Sequence, residues 1–391
     1  MGKWVKKKLG DLGFSFSGLS GKTIDDFGEG KPFIPYMNIF TNGKINSKQL
    51  EYVRIAENER QNKVEQGDWF FTTSSETPDE VGMTSVLVED IGEAYLNSFC
   101  FGFRLYDKSE FEPEFVSYLF RSLELRKKIS LFAQGSTRYN LPKQQMFEKL
   151  YISYPSSLSE QRRIASILSS ADKVIDSTKK LIAKYKQIKQ GMMEDLLKPK
   201  EGWKKVKFGE VINDSYAGGT PNRSRGDYFG GGISWVTSGE VNNPEICSTL
   251  ENITIEGLNN SSAKWIPENS ILVALYGATA GQVSMLRIKA TSNQAVLAVI
   301  PNAEFTDTMF LFYQIVYNKD NLLYLAQGSG QPNLSKNLVD RLEISIPDLS
   351  EQRRIASILS GIDKKIESEE KALEKYKKIK KGLMEKLLRG E

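Results

Sequence analysis

From residue 164 onward, apolar side chains return in alternating steps of four and three: Ile164, Leu168, Ala171, Ile175, then Ile182, Tyr185, Met192 and Leu196, with Thr178 and Lys189 in the two remaining places of the series. The same steps connect Ile355, Leu359, Ile362, Ile366, Leu373, Tyr376, Leu383 and Leu387, with Glu369 and Lys380 between them. A 3.5-residue period held for about five heptads predicts a helix whose narrow apolar seam must be covered by another helix. No proline interrupts either stretch, and Ser159 and Ser350 stand where a hydroxyl can accept from the first free amides as an N-cap. At about 1.5 Å per residue, some 36 residues make a rod about 54 Å long. Two such rods in one chain bury their seams most simply against each other, and the sequence between them leaves room for either direction.

The rods are copies. Both begin SEQRRIASILS, at residues 159–169 and 350–360, and roughly two-thirds of about 39 aligned residues are identical. Beyond the rods the duplication is fainter: AQGSTRYNLPK (133–143) precedes the first and AQGSGQPNLSK (326–336) the second. GWKKVKFGEVI (202–212), which follows the first rod, matches KWVKKKLGDLG (3–13). The order is therefore globule, rod, globule, rod, and it is cyclic, as though residue 391 led back to residue 1. Each globule mixes short alternating strands with a few helices. DWFFTTSS (68–75) and SILVALYGATAG (270–281) read as equivalent strands running into a loop, and residues 113–134 as one amphipathic helix. The middles of the two globules share almost nothing in sequence.

A length of 391 residues at 40% hydrophobic content suits two or three ordinary domains. No run of about 18 apolar residues occurs, and the opening MGKWVKKKLGDLG lacks the apolar centre of a signal peptide, so a cytoplasmic location is expected. Cys100 and Cys247 lie far apart in unlike contexts, which supports neither a disulfide framework nor a metal site. Histidine is absent altogether, removing the commonest general base and the usual zinc ligand. A net charge of +4 does not mark a polyanion binder, and clusters such as Lys6–Lys8, Arg126–Lys128 and Lys377, Lys378, Lys380, Lys381 read first as solvated faces. DDFGEGK at Asp25 lacks the spacing of a phosphate loop, no Asp/Asn-Pro-Pro-aromatic signature of adenine methylation occurs, and a nuclease-like Asp363, Lys365 pair falls on a rod.

The repeated SEQRRIASIL, the GWKKVKFGEV module start, YGATAGQV from Tyr276, SNQAV from Ser292 and AQGSTRYNLPK together resemble the specificity subunit of Type I restriction-modification systems, over essentially the whole chain. The first globule departs from the pattern, with TTSSETPDEVG where the second has YGATAGQV. The resemblance implies an α+β fold: two α/β target recognition domains separated by two long helices that form an antiparallel coiled coil, with an internal pseudo-twofold repeat. It places recognition domains at 1–157 and 199–348 and the coiled-coil helices at 158–198 and 349–391. It implies a non-catalytic chain without cofactor or metal, whose partners are double-stranded DNA, two modification subunits that methylate adenine with S-adenosylmethionine, and restriction subunits through the complex, with no membrane. The rival expectation is a coiled-coil adaptor whose globules bind peptides or glycans.

Reading a duplex needs donors and acceptors at base edges and further contacts at phosphates. In the first globule the candidates are Thr73, Ser74, Ser75 and Thr77, then Ser136, Thr137, Arg138, Tyr139 and Asn140. In the second they are Thr220, Arg223, Arg225 and Tyr228 in a glycine-rich loop, Tyr276 and Thr279 at a strand end, and Ser329, Gln331 and Asn333. The same residue types also make ordinary turns.

Overall fold

The structure is a computed structural model that describes residues 3–326 and 333–389. Ser329 and Gln331 lie outside the described residues. The chain divides into two compact units, Met1–Lys179 with Ala372–Glu391, and Lys180–Lys371. Both predicted rods are continuous helices, Leu158–Leu197 and Leu349–Leu387. Each unit thus holds one globule, the first part of the rod that follows it and the last part of the other rod.

Within the first unit, Ile164, Ala165 and Leu168 share a core with Leu388, and Asp172 further along meets Lys380. One helix is read upward as the other is read downward, so the two segments run antiparallel. The second unit repeats this with Ile355, Ala356 and Leu359 against Met193 and Leu197, and Asp363 against Lys189. Thr178, a polar seam residue, is buried but returns its hydroxyl to Val174 O at 2.9 Å.

The glutamine of the repeated SEQRR explains why that motif recurs. Gln161 is fully buried; its amide donates to Glu110 O (3.0 Å) and Pro155 O (2.9 Å), and its oxygen accepts from Glu112 N at 2.8 Å. Gln352 does the same with Phe305 O (3.1 Å), Pro347 O (2.9 Å) and Asp307 N (2.9 Å). Only an amide offers donors and an acceptor together at that length, so the residue welds rod to globule. The serines do not cap as expected. Leu158 and Leu349 already begin the helices, and the cap lies one residue upstream, where Asp348 Oδ1 accepts from Glu351 N at 3.0 Å and Ser157 O receives the amides of Glu160 and Gln161.

At the foot of each rod the duplicated module start pairs with the strand that precedes the rod: Trp4–Lys8 antiparallel to Tyr151–Pro155, and Lys204–Lys207 antiparallel to Glu343–Ile346. The expected equivalents Trp69–Thr72 and Ile271–Ala274 occupy the same place, third in a four-stranded and in a five-stranded sheet. The divergent middles fold alike as well. Phe27–Ile34 lies between Glu51–Val53 and Tyr95–Leu96, and Phe229–Val236 between Glu251–Ile253 and Thr291–Ser292. Each central strand carries one bulge, with Phe27 and Lys31 both opposite Val53, and Phe229 and Ile233 both opposite Ile253. Gly28, Gly30 and Gly230 sit there at φ of 109°, 106° and 79°, a region open to glycine. DDFGEGK is therefore a bulged strand. Residues 113–134 form two helices, Pro113–Leu119 and Leu123–Ser130, because Ser122 caps the second and Arg121 turns inward.

Leu197 and the partly buried Trp203 pack into the second core as Leu388 and Trp4 pack into the first. A chain joined from residue 391 to residue 1 and reopened near Pro199 is therefore expected to be soluble, with the parental helix content by circular dichroism. Recovery only as aggregate would count against the cyclic order.

Candidate nucleic-acid interface

In the first globule the two candidate loops are joined by backbone pairing. Ser74 and Ser75 pair with Asn140 and Tyr139, and Leu141 N donates to Thr73 O at 2.8 Å. Arg138, exposed, donates from Nε to Ser74 Oγ at 3.2 Å, and Gly135 at φ 136° turns the chain that presents Ser136 and Thr137 to solvent. Several hydroxyls are spoken for: Thr73 donates to Phe99 O at 2.8 Å, while Ser75 and Thr77 both donate to Glu80, at 3.1 and 2.9 Å. The free edge here is Ser136, Thr137, Arg138 and Asn140. Tyr36, absent from the sequence candidates, supports it by donating to Ser74 O at 2.8 Å.

The second globule repeats the arrangement. Thr220 hydrogen-bonds Gln294; Ala295, the next residue, accepts from Leu275 N at 2.8 Å; and Tyr276 bridges to Asn333. Thr279 O accepts from Gln282 N at 2.9 Å and shapes the turn after Tyr276. Arg223 stacks 4.7 Å from the Phe229 ring and 5.0 Å from that of Trp235, and reaches Glu251 at 2.6 Å. Arg225 lies 4.8 Å from the Tyr228 ring and pairs with Asp227 at 2.6 Å, a contact that holds the Asp227 carboxyl below its usual range. Stacking keeps both guanidiniums extended at the surface. Their ion pairs are exposed and weak in water, so a phosphate or a guanine edge can replace the carboxylate.

Sequence reasoning passed over an aromatic and basic patch beside this edge. Lys289 lies 4.5 Å over the Trp265 ring and Lys264 5.4 Å over that of Tyr216, whose hydroxyl donates to Trp265 O at 2.6 Å. The lysines flank an exposed tryptophan, a pairing a sequence scan finds only when the strands are already aligned. Arg126, by contrast, leaves its expected solvated face: it is half-buried against Gly82 O (2.8 Å), Asp79 O (2.7 Å) and Val81 O (2.6 Å), because the turn there directs three carbonyls toward it. Among the described residues no group of three acidic, cysteine or histidine side chains could hold a metal ion, and no helix is long and apolar enough to cross a membrane.

Two globules of one design, each presenting a polar loop edge and each gripping two helix segments, define a duplicated binding scaffold. The chain belongs to the family described as the Type I restriction modification DNA specificity domain, whose model matches residues 1–187 and again 200–378. It is 27% identical over 302 residues to the putative type I restriction enzyme MjaX specificity subunit of Methanocaldococcus jannaschii, spanning 73% of this chain and 69% of that one. It is 27% identical over 274 residues to the EcoR124I/EcoR124II specificity subunit of Escherichia coli, spanning 64% and 67%. Its fold is that of the S subunit from M. genitalium (TM-score 0.60, 16% identity, 99% and 96% of the chains) and of the HsdS subunit from Thermoanaerobacter tengcongensis (TM-score 0.51, 19% identity, 99% and 97%).

Proposed function

We propose that this chain is the non-catalytic DNA-reading subunit of a Type I restriction-modification complex, acting in the cytoplasm on double-stranded DNA. Residues 1–157 read one half of a bipartite site and residues 199–348 the other. The helices, 158–198 and 349–391, set the distance between the halves and dock two modification subunits, with restriction subunits joining through that complex. The observation that carries the reading is the duplication of one loop edge, Ser74–Ser75 with Tyr139–Asn140 and Tyr276 with Asn333, on globules of one fold and unlike loop sequence. Equal scaffolds with different edges suit two different half-sites.

The test is methylation sequencing of cells that supply the modification partner. Arg138→Ala is expected to relax one half-site and Arg223→Ala the other, each lowering discrimination roughly tenfold, since a guanidinium on a base edge contributes about 1–3 kcal/mol. Relaxation of both halves by either substitution, or of neither, would refute the assignment of one globule to one half. Binding to random duplex is expected to weaken steeply with salt as counterions are released; an affinity indifferent to salt would favour a protein adaptor.

A further inference from the structure

Each unit contains one three-way junction, its tyrosine buried and its ion pair half-buried, that the apolar seam does not account for. In the first unit, Tyr118 of the globule donates to Asp172 Oδ2 of one rod at 2.8 Å, and Lys380 of the other rod reaches Asp172 Oδ1 at 2.5 Å. In the second unit, Tyr313 donates to Asp363 Oδ2 at 2.8 Å and Lys189 reaches Asp363 Oδ1 at 2.7 Å. The match extends to detail: each lysine Nζ lies 5.6 Å from its tyrosine ring, and each Asp–Lys pair keeps between a quarter and about a third of its side-chain surface exposed. The tyrosines are buried. Burial and the neighbouring carboxylate both keep each phenol protonated and donating.

The placement of these charges excludes the alternatives open to an apolar seam. Each rod carries one aspartate and, seventeen residues on, one lysine: Asp172 and Lys189, Asp363 and Lys380. Antiparallel, each aspartate meets a lysine. Parallel and aligned, aspartate would face aspartate and lysine would face lysine. A slip of one heptad in either direction would set Asp172 against Leu387 or Leu373, and Asp363 against Leu196 or Ile182. Leucine and isoleucine contacts tolerate such exchanges; a half-buried carboxylate and lysine, each set against an apolar seam residue instead of its partner, tolerate them less. The tyrosine then fastens the matched pair to the globule.

We propose that Tyr118–Asp172–Lys380 and Tyr313–Asp363–Lys189 are positioning residues that fix the direction and register of the rods, and through them the single length of unread DNA between the half-sites. The proposal rests on the DNA-reading function above. A half-buried pair set among apolar contacts selects one arrangement without adding much stability, so its removal acts on specificity more than on folding.

The decisive variant makes both junctions apolar in the full chain: Tyr118→Phe, Asp172→Leu and Lys380→Met with Tyr313→Phe, Asp363→Leu and Lys189→Met. It is expected to melt at or above the parental temperature, yet in cells with the modification partner to methylate sites of more than one spacer. New spacers are expected to differ by about three base pairs, the reach of a heptad slip of about 10 Å. Half-site sequences are expected to be unchanged, and methylation at the parental spacer to fall at least severalfold. A folded variant that keeps the one parental spacer overturns the proposal. If the six changes prevent folding, the near-isosteric Asp172→Asn with Asp363→Asn decides: minor spacers above the parental background support the junctions, and the parental spacer alone refutes them. Absence of any two-part methylated motif with the parental chain would count against the DNA-reading function and not against the junctions.

Discussion

Inserting four residues after Ile182 and four after Leu373 is expected to abolish methylation at the parental sites and to transfer it to sites whose unread spacer is one or two base pairs longer, with both half-sites retained. Four residues add about 6 Å of helix and overshoot one turn only slightly, so the rotational phase of the seam is nearly kept. Base pairs stack about 3.4 Å apart along a duplex, which sets the expected lengthening. Both insertions fall beside the boundary of the compact units, at Lys179/Lys180 and Lys371/Ala372, and leave each globule's core and each Tyr–Asp–Lys junction intact. Paired insertion keeps the antiparallel partners matched on either side. The measurement is the methylation motif of parent and variant in cells with the modification partner. An active variant with the parental spacer would show that the rods do not measure the DNA.

The rods were legible because a coiled-coil seam is a property of spacing alone, and spacing survives in sequence. What each unit contains was not: that the last part of each rod belongs with the other globule depends on which partner Asp172 and Asp363 find, and both rods carry the same residues. The middles looked unrelated since a ribbon strand needs only its bulge glycines and a few buried residues; Phe-Gly-x-Gly at Phe27 and Phe229 is nearly all that remains in common. The loop edges could be located from their polar, glycine-rich composition. Which hydroxyls face outward could not, because a carboxylate as ordinary as Glu80 absorbs those of Ser75 and Thr77.

Replacing Arg121 by methionine is expected to destabilise the first unit by about 1–3 kcal/mol or more, the cost of leaving a buried acceptor without its donor. The guanidinium is half-buried where no carboxylate meets it. It donates instead to four carbonyls: Ile39 O at 2.6 Å, Phe40 O at 3.0 Å, Asn42 O at 2.8 Å and Thr84 O at 2.8 Å. Three of these lie at the C-terminal end of the helix Tyr36–Thr41, where carbonyls lack intrahelical partners and a cation is favoured by the helix dipole. Methionine fills the volume but leaves all four part-buried acceptors without this donor. Burial lowers the Arg121 pKa to about 10 from 12.5. A base whose folded pKa is depressed binds fewer protons folded than unfolded only between those two values, so the group is charged in both states below pH 9. The deficit of the variant is therefore expected to stay constant from pH 6 to 9 and to be read as a shift in urea midpoint at unchanged slope. Tyr36, which begins that helix, supports the Ser74 edge, so the same variant is expected to lose methylation specificity first at the half-site read by the first globule as temperature rises. Equal, simultaneous loss at both half-sites would place the role of Arg121 outside the first unit.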